Sequence, residues 1–275
     1  MASDSFAQHR QRRALFGGDV DAYDLGRPGY PEPVYELLRG KAGLSEGSSV
    51  LEIGAATGQA TGRILELGAS VVAVEMSADL ADRLQLNFGD HELRVVVGAF
   101  EEVDLPSAAF DLVVAATSFH WVPSGVGLAR CADVLRIGGS VALWWTFFGD
   151  PGRPDPFHDA LTPILERLAP EVLDNPATPG ESAPVPYALD VETRVAEIDA
   201  SGRFGPVYHE TVAWTGHHTA QEVRALFASY SPWLAMAPDR RRVVLDALEQ
   251  LAVDQFNGTV ERPYLTAVYL AERLV

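Results

Sequence analysis

The sequence is short of cysteine, of basic residues and of long apolar runs. Cys131 is the one cysteine among 275 residues, which rules out an intrachain disulfide and a cysteine-based zinc site. No apolar run approaches the roughly 18 residues that a membrane-spanning helix requires. Because 21 basic residues face 38 acidic ones, the net charge is −17, and this charge disfavours nucleic acid and anionic lipid as partners. We therefore expect a cytoplasmic protein, monomer or homodimer, that binds neither nucleic acid nor membranes.

Seven short apolar or β-branched runs, bounded by glycine, proline or acidic residues, predict strands. They lie at Ser49–Ile53, Ser70–Glu75, Leu93–Val97, Phe110–Ala115, Ser140–Thr146, Val207–Trp214 and Tyr264–Ala271. Helical patterns separate most of these runs. This alternation is typical of an α/β protein whose parallel sheet is covered by helices on both faces.

The most informative motif is the turn after the first predicted strand. The strand ends at Glu52-Ile53, small residues follow from Gly54 to Gly58, and a helix begins beyond them. Glycine lets the backbone turn tightly and approach a ligand closely, and the first amide groups of the helix are free to donate hydrogen bonds. The second strand ends at Glu75, 21 residues after Gly54, where a carboxylate can accept hydrogen bonds from ribose hydroxyls. The pattern predicts a ligand of the nucleoside type.

Two classes of enzyme share this arrangement. A dinucleotide-binding oxidoreductase needs the pattern G-x-G-x-x-G, whose glycine positions fall here on Gly54, Ala56 and Gln59, so two of the three are missing. An S-adenosylmethionine enzyme needs an acid followed by glycines at alternate positions. Glu52, Gly54, Ala56 and Gly58 fit that pattern with one substitution. The second class is favoured, and an NAD(P)-dependent oxidoreductase stays open as the weaker alternative.

Further motifs follow the turn in order, and together with it they resemble the small-molecule class I methyltransferases, the family of the trans-aconitate and ubiquinone-type enzymes. The matching pieces are Leu51 to Gln59, Glu75, Gly98-Ala99-Phe100-Glu101, Phe110 to Ala115, Ser118 to Val122, and Val134 to Gly139. The resemblance covers residues 20–148 well and the remainder only in general layout. It implies a Rossmann-like, seven-stranded, mostly parallel sheet with helices on both faces, plus a helical or irregular cap.

The chain divides into four parts of a single domain on this basis. The segment Gly17–Pro33 is predicted to be rich in turns. Nine of the 18 prolines fall between Pro151 and Pro186, a density that prevents a regular strand. The four parts are N-terminal lid helices at 1–41, a cofactor-binding core at 42–148, a proline-rich cap insert at 149–190, and the rest of the sheet with cap helices at 191–275.

The resemblance also implies which residues contact S-adenosylmethionine. Glu52 would help to hold the methionine amino group, Glu75 would bind the ribose hydroxyls, and Met76 would pack on the adenine. Many relatives carry Asp where Ala99 stands, so the contact with the adenine amino group falls to the residues beside it. The full implied set is Arg27, Glu52, Gly54, Ala56, Thr57, Gly58, Glu75, Met76, Ala99, Phe100 and Thr117.

Candidates for chemistry on the acceptor are His120, as a general base near neutral pH, and Tyr23 in the lid. The alternative for His120 is a histidine that only hydrogen-bonds its own loop. Arg27 could pair with the methionine carboxylate or with an anionic substrate; the alternative is a plain Pro-Gly turn. The predicted substrate pocket consists of Tyr30, Phe119, Trp121, Trp145 and Trp233. No metal is expected, because the His217-His218 pair lacks a third ligand at metal spacing.

The predicted reaction is an in-line transfer of a methyl group from S-adenosylmethionine to a small-molecule acceptor, at a hydroxyl or carboxyl oxygen. Nucleic-acid amino-methyltransferases usually carry Asn/Asp-Pro-Pro-Tyr/Phe after the fourth strand, where this chain has Ala116-Thr117-Ser118-Phe119. Methylation of nitrogen or carbon stays open, because all three reactions use the same fold. So does a regulatory protein that binds S-adenosylmethionine without catalysis.

Overall fold

Seven strands form one sheet in the computed structural model, which describes residues 19–173 and 185–274. The first three strands have the predicted bounds, whereas the last three extend beyond the prediction. The strands are β1 Ser49–Ile53, β2 Ser70–Glu75, β3 Leu93–Val97, β4 Phe110–Ala116, β5 Leu135–Phe147, β6 Tyr208–Thr219 and β7 Thr259–Glu272. Antiparallel pairing extends β6 and β7, and the start of β5 pairs with β4 in parallel.

The strand order is β3-β2-β1-β4-β5-β7-β6. Strands β1 to β5 run parallel to one another, and β7 is antiparallel to both β5 and β6. The carboxyl ends of the five parallel strands therefore meet at one edge, which we call the carboxyl edge. The chain changes direction across the sheet between β1 and β4, and ligands of open α/β sheets bind at such a switch point.

Ten α-helices accompany the sheet within the described residues. They are α1 Val20–Gly26, α2 Glu32–Ala42, α3 Thr61–Glu66, α4 Ala78–Phe88, α5 Ser124–Val134, α6 Pro156–Leu168, α7 Val191–Ala200, α8 Ala220–Ala228, α9 Ser231–Leu234 and α10 Pro238–Phe256. Helices α2, α3 and α4 pack on one face of the sheet, and α5 and α7 pack on the other. The predicted Rossmann-like fold class is confirmed.

Helices α6, α8, α9 and α10 share a third hydrophobic core, and we call them the helical cap. Phe157, Leu248 and Val260 are fully buried in it. The cap is tied to the carboxyl edge by the Arg262 guanidinium, which donates to the Asp155 carboxylate at the start of α6 at 2.7 Å. No helix among the described residues is long and apolar enough to cross a membrane.

The prediction of a turn-rich segment at 17–33 was wrong for its centre, where α1 forms. Asp19 caps this helix by accepting a hydrogen bond from the Ala22 amide at 3.2 Å, which satisfies a donor that the helix leaves unpaired. A seven-residue helix is too short to show a clear periodicity in sequence. Residues 1–18 of the predicted lid and 174–184 of the predicted insert lie outside the described residues.

Helix α1 is held against α8 by a close backbone approach. Gly26 is buried, and a Cβ at this position would fall 2.7 Å from the Cα of Leu226, with other backbone atoms of α8 nearer still. Glycine is therefore required here by the neighbouring main chain, which cannot move aside as a flexible side chain can. Contact with α8 places α1 between the sheet and the helical cap.

We expect Gly26→Ala to lower the free energy of unfolding by about 1–3 kcal/mol, because the added methyl group overpacks this contact. The matched control is Gly40→Ala in α2, where a Cβ meets nothing within 4 Å, and it should stabilise by about 0.5–1 kcal/mol. Urea unfolding followed by circular dichroism measures both. Equal midpoints for the two variants would show that α1 does not depend on this contact.

Candidate functional site

The turn after β1 holds three alternate residues in the left-handed backbone region. The φ angles are 68° at Gly54, 50° at Ala56 and 105° at Gly58. A Cβ at Gly58 would lie 2.8 Å from Cδ2 of Phe88, with another atom of that ring nearer still, so packing also requires glycine there. Ala56 has a Cβ and adopts this conformation at a cost of order 1–3 kcal/mol. Its strain is balanced by a hydrogen bond that orients the turn.

That hydrogen bond goes to Glu75 at the end of β2. The Ala56 amide donates to one carboxylate oxygen of Glu75 at 2.9 Å, and the Ser77 amide donates to the other at 2.8 Å. Glu75 is 8% exposed. Two amides thus fix this carboxylate at the carboxyl edge, beside the turn, as the sequence pattern predicted.

Glu52 on β1 is buried more deeply, with 1% of its surface exposed. The Thr61 hydroxyl donates to its carboxylate at 2.6 Å. Burial raises the pKa of Glu52 to about 8, the Thr61 hydrogen bond partly opposes this rise, and the Glu75 charge adds to it. Below that pH the side chain is mostly a neutral acid, and a cationic group beside it would favour the carboxylate.

A set of polar contacts joins α1 to the turn, and it was not predicted from the sequence. The Asn87 amide donates to the Asp24 carboxylate at 3.1 Å and to the Thr57 carbonyl at 3.0 Å. Arg83 donates to the same Asp24 at 3.0 Å. Asn87 and Arg83 are polar positions on α4 that carry no sequence signal of their own. Their partners are distant in the chain, so the folded structure was needed to find them.

Tyr30 and Thr117 meet at the end of β4. The Tyr30 hydroxyl donates to the Thr117 hydroxyl oxygen at 3.1 Å, and its ring packs edge-on against Trp144 at 5.5 Å between centroids. Thr117 has a φ of 56°, a strained value for a β-branched residue. Burial raises the pKa of Tyr30 well above its usual range. At neutral pH this hydroxyl therefore stays protonated and acts as a donor.

Tyr23 on α1 has a raised pKa, as Tyr30 does. Burial raises the pKa of Tyr23, the Arg27 charge partly opposes this, and the Glu75 carboxylate adds to it. The Arg27 guanidinium carbon is 5.3 Å from the Tyr23 ring centroid. Like Tyr30, it keeps its proton at neutral pH, which suits a hydrogen-bond donor better than a general base.

His120 accepts a hydrogen bond at Nδ1 from the Trp145 indole, with a distance of 3.1 Å from the Trp145 nitrogen. Because indole can only donate, neutral His120 must carry its proton on Nε2. The lone pair that a general base would use is therefore engaged by Trp145. In this arrangement His120 is suited to orienting a group rather than removing its proton, and the predicted role as a base requires the Trp145 bond to break.

Arg27 lies among aromatic rings where α1 meets the helical cap. Its guanidinium carbon is 5.3 Å from the Tyr23 ring centroid, 5.7 Å from that of Phe148 and 4.8 Å from that of Tyr230. The side chain donates to the Ser229 hydroxyl at 2.8 Å and to the Ser229 carbonyl at 3.1 Å. These contacts make Arg27 a link between α1 and the cap, which the sequence did not reveal.

The predicted pocket residues do not form one cluster. Trp145 faces the core under α5 and α7 together with Phe119, whereas Trp144 faces the opposite side with Tyr30. Trp233 is buried in the cap, with its ring 5.3 Å from Phe227. Of the other predicted site residues, Phe100 and Thr57 are buried, and Met76, Ala99 and Trp121 are half-buried. Among the described residues no group of three or more acids, histidines or cysteines could hold a metal ion.

Comparison with known proteins places the chain in a family. Residues 51–143 match the family described as "Methyltransferase domain". An uncharacterized methyltransferase of Mycobacterium tuberculosis is 29% identical over 262 residues, which are 94% of this chain and 95% of that protein. An uncharacterized methyltransferase of a Geobacillus species is 30% identical over 150 residues, 51% of this chain and 70% of that protein.

Solved structures share the fold at low identity. Phosphoethanolamine N-methyltransferase 2 of Haemonchus contortus, in complex with phosphomonomethylethanolamine and S-adenosylhomocysteine, is 13% identical with a TM-score of 0.53, covering 94% of this chain and 58% of that one. The YcgJ protein of Bacillus subtilis is 14% identical with a TM-score of 0.52, covering 89% of this chain and 100% of that one. The strand order, the turn after β1 and these relatives together show that the chain belongs to the class I S-adenosylmethionine-dependent methyltransferases.

Proposed function

We propose that the protein transfers a methyl group from S-adenosylmethionine to a small-molecule acceptor at an oxygen atom. The observation that carries this proposal is the cover over the carboxyl edge. Helix α1 contacts α8 through Gly26, and Arg27 binds Ser229, so that lid and cap are joined. A folded macromolecule would have to part them to reach the carboxyl edge, whereas a small acceptor needs a much smaller opening.

The residues at the turn suit this cofactor by their chemistry. When bound, S-adenosylmethionine supplies a methyl group activated by a sulfonium charge. Glu75 would accept hydrogen bonds from its ribose hydroxyls, and the buried Glu52 would hold its amino group. The turn at Gly54, Ala56 and Gly58 would lie beneath it. The remaining residues proposed to contact the cofactor are Thr57, Met76, Ala99, Phe100 and Thr117.

The protonation states of nearby groups support an oxygen acceptor that reacts without a strong general base. Tyr23 and Tyr30 keep their protons at neutral pH, and Nδ1 of His120 accepts from Trp145. These groups can orient an acceptor, and orientation alone can contribute about 7–11 kcal/mol to such a reaction. A carboxylate or an acidic hydroxyl is nucleophilic without a strong base. An alkyl amine, which is protonated at neutral pH, would need one.

Transfer of tritiated methyl groups to a panel of carboxylic acids, phenols, alcohols and amines tests this proposal. We expect label in acids or phenols, with turnover lost in Glu75→Gln. Label that enters transfer RNA or protein instead of the panel would contradict a small-molecule acceptor. Label confined to amines would contradict oxygen as the methylated atom.

We expect Glu75→Gln to weaken S-adenosylhomocysteine binding by about 10–100-fold, because charge-assisted hydrogen bonds contribute about 1.5–3 kcal/mol each. Isothermal titration calorimetry measures the dissociation constant. Glu36→Gln is the matched control, since Glu36 is exposed on α2 and should leave affinity unchanged. Equal affinity in both variants would remove Glu75 from the binding site.

Cofactor binding should depend on pH through Glu52. Its pKa is about 8 without a ligand, so at pH 6 the carboxyl group must lose a proton to pair with an ammonium group. We expect affinity for S-adenosylhomocysteine to rise by up to about tenfold per unit between pH 6 and 8, and to level off above 8. Calorimetry in buffers of different ionisation enthalpy should detect proton release on binding. If Glu52→Gln releases as many protons as the wild type, Glu52 does not hold the amino group.

A further inference from the structure

The hydroxyl of Tyr230 is buried and, within the residues that the structure describes, has no hydrogen-bond partner. Tyr230 stands between α8 and α9 in the helical cap. A buried donor without a partner costs stability, and most buried polar groups in native proteins are satisfied. The orphaned hydroxyl therefore calls for a ligand that would accept its hydrogen bond.

An arginine lies directly beside it. The Arg27 guanidinium is 4.8 Å from the Tyr230 ring centroid, and no carboxylate of the described residues lies within 4.0 Å of it. By contrast, Arg262 nearby is 5% exposed and is neutralised by Asp155 at 2.7 Å. Arg27 thus has charge available for an anion.

The position of this pair is on the acceptor side of the site. Phe148, which contacts both residues, follows β5. In the sheet, β5 is two strands from β1, or about 10 Å at the usual strand spacing. The turn and Glu75, which suit the cofactor, lie on β1 and β2. A group bound beside Tyr230 would therefore be part of the acceptor rather than of the cofactor's nucleoside.

We propose that Tyr230 and Arg27 bind a carboxylate of the methyl acceptor. This inference rests on the proposed function and names the acceptor class as organic acids. The Tyr230 hydroxyl donates to a carboxylate oxygen, and Arg27 supplies the positive charge. Burial raises the pKa of Tyr230, although Arg27 and Arg262 partly oppose it, so the hydroxyl keeps the proton that it donates. The rings of Tyr23, Phe148 and Tyr230 exclude water and strengthen the ionic contact.

Tyr230→Phe is the sharpest test, because it removes the hydroxyl and keeps the ring. Without a ligand we expect an unchanged or higher melting temperature, since a buried donor without a partner disappears. The affinity for S-adenosylhomocysteine should stay within about twofold. The acid probes are benzoate, cinnamate and succinate, added to protein saturated with S-adenosylhomocysteine. Each acid that the wild type binds should bind the variant at least about tenfold more weakly. Tyr208→Phe on the edge strand β6 is the matched control and should change none of these values.

Arg27→Gln removes the positive charge and keeps a hydrogen-bond donor. In this variant, each acid should bind no more tightly than its amide. Three results would overturn the inference: acid binding unchanged in Tyr230→Phe, loss of S-adenosylhomocysteine affinity in that variant, or wild-type protein that binds no acid better than its amide. Methylation of a neutral phenol by a wild type that binds no acid would overturn this inference and leave the proposed function standing. Acid binding without methyl transfer to any panel member would count against the proposed function alone.

Discussion

The removal of two carboxyl groups from water at the ends of β1 and β2 is the constraint on which the site depends. A buried carboxylate costs several kcal/mol unless it is compensated, and the two residues solve this differently. Two backbone amides donate to Glu75, and a hydrogen bond to a carboxylate contributes about 1.5–3 kcal/mol. Glu52, with the Thr61 hydroxyl as its partner, is relieved by protonation instead. The same edge thus presents one fixed acceptor and one group that ionises in response to a cation.

The strained turn after β1 is a consequence of the hydrogen bonds to Glu75. Ala56 adopts a positive φ so that its amide can reach Glu75, and the turn cannot relax without losing that bond. Asn87 holds the next residue, Thr57, through its carbonyl and joins it to Asp24 on α1. Helix α1, the turn and the acid on β2 therefore form one connected set of hydrogen bonds. A ligand that binds any one of them acts on all three.

Local sequence signals predicted the parts of the fold that depend on neighbouring residues. The bounds of β1, β2 and β3, the glycine turn and the acid on β2 follow from apolar runs and short spacings. Helix α1 was missed because seven residues show little periodicity and because its burial depends on α8, about 200 residues later in the chain. The Trp145–His120 hydrogen bond changes what the histidine can do, and its geometry was outside the reach of spacing rules. Tyr230 and Arg27 meet through tertiary packing alone.

The insertion of β7 between β5 and β6 also determines how the sheet can be completed. Strand β7 follows β6 in the chain, yet it lies inside the sheet, where it pairs with β6 along residues 259–270 and with β5 along residues 265–272. Until β7 pairs with them, β5 and β6 each expose an unpaired backbone edge, and the helices of the cap lie between β5 and β7 in sequence. Pairing over such separations is slow, and open edges invite association with other chains. The inserted antiparallel strand thus makes completion of the sheet the step at which these backbone edges are open to aggregation.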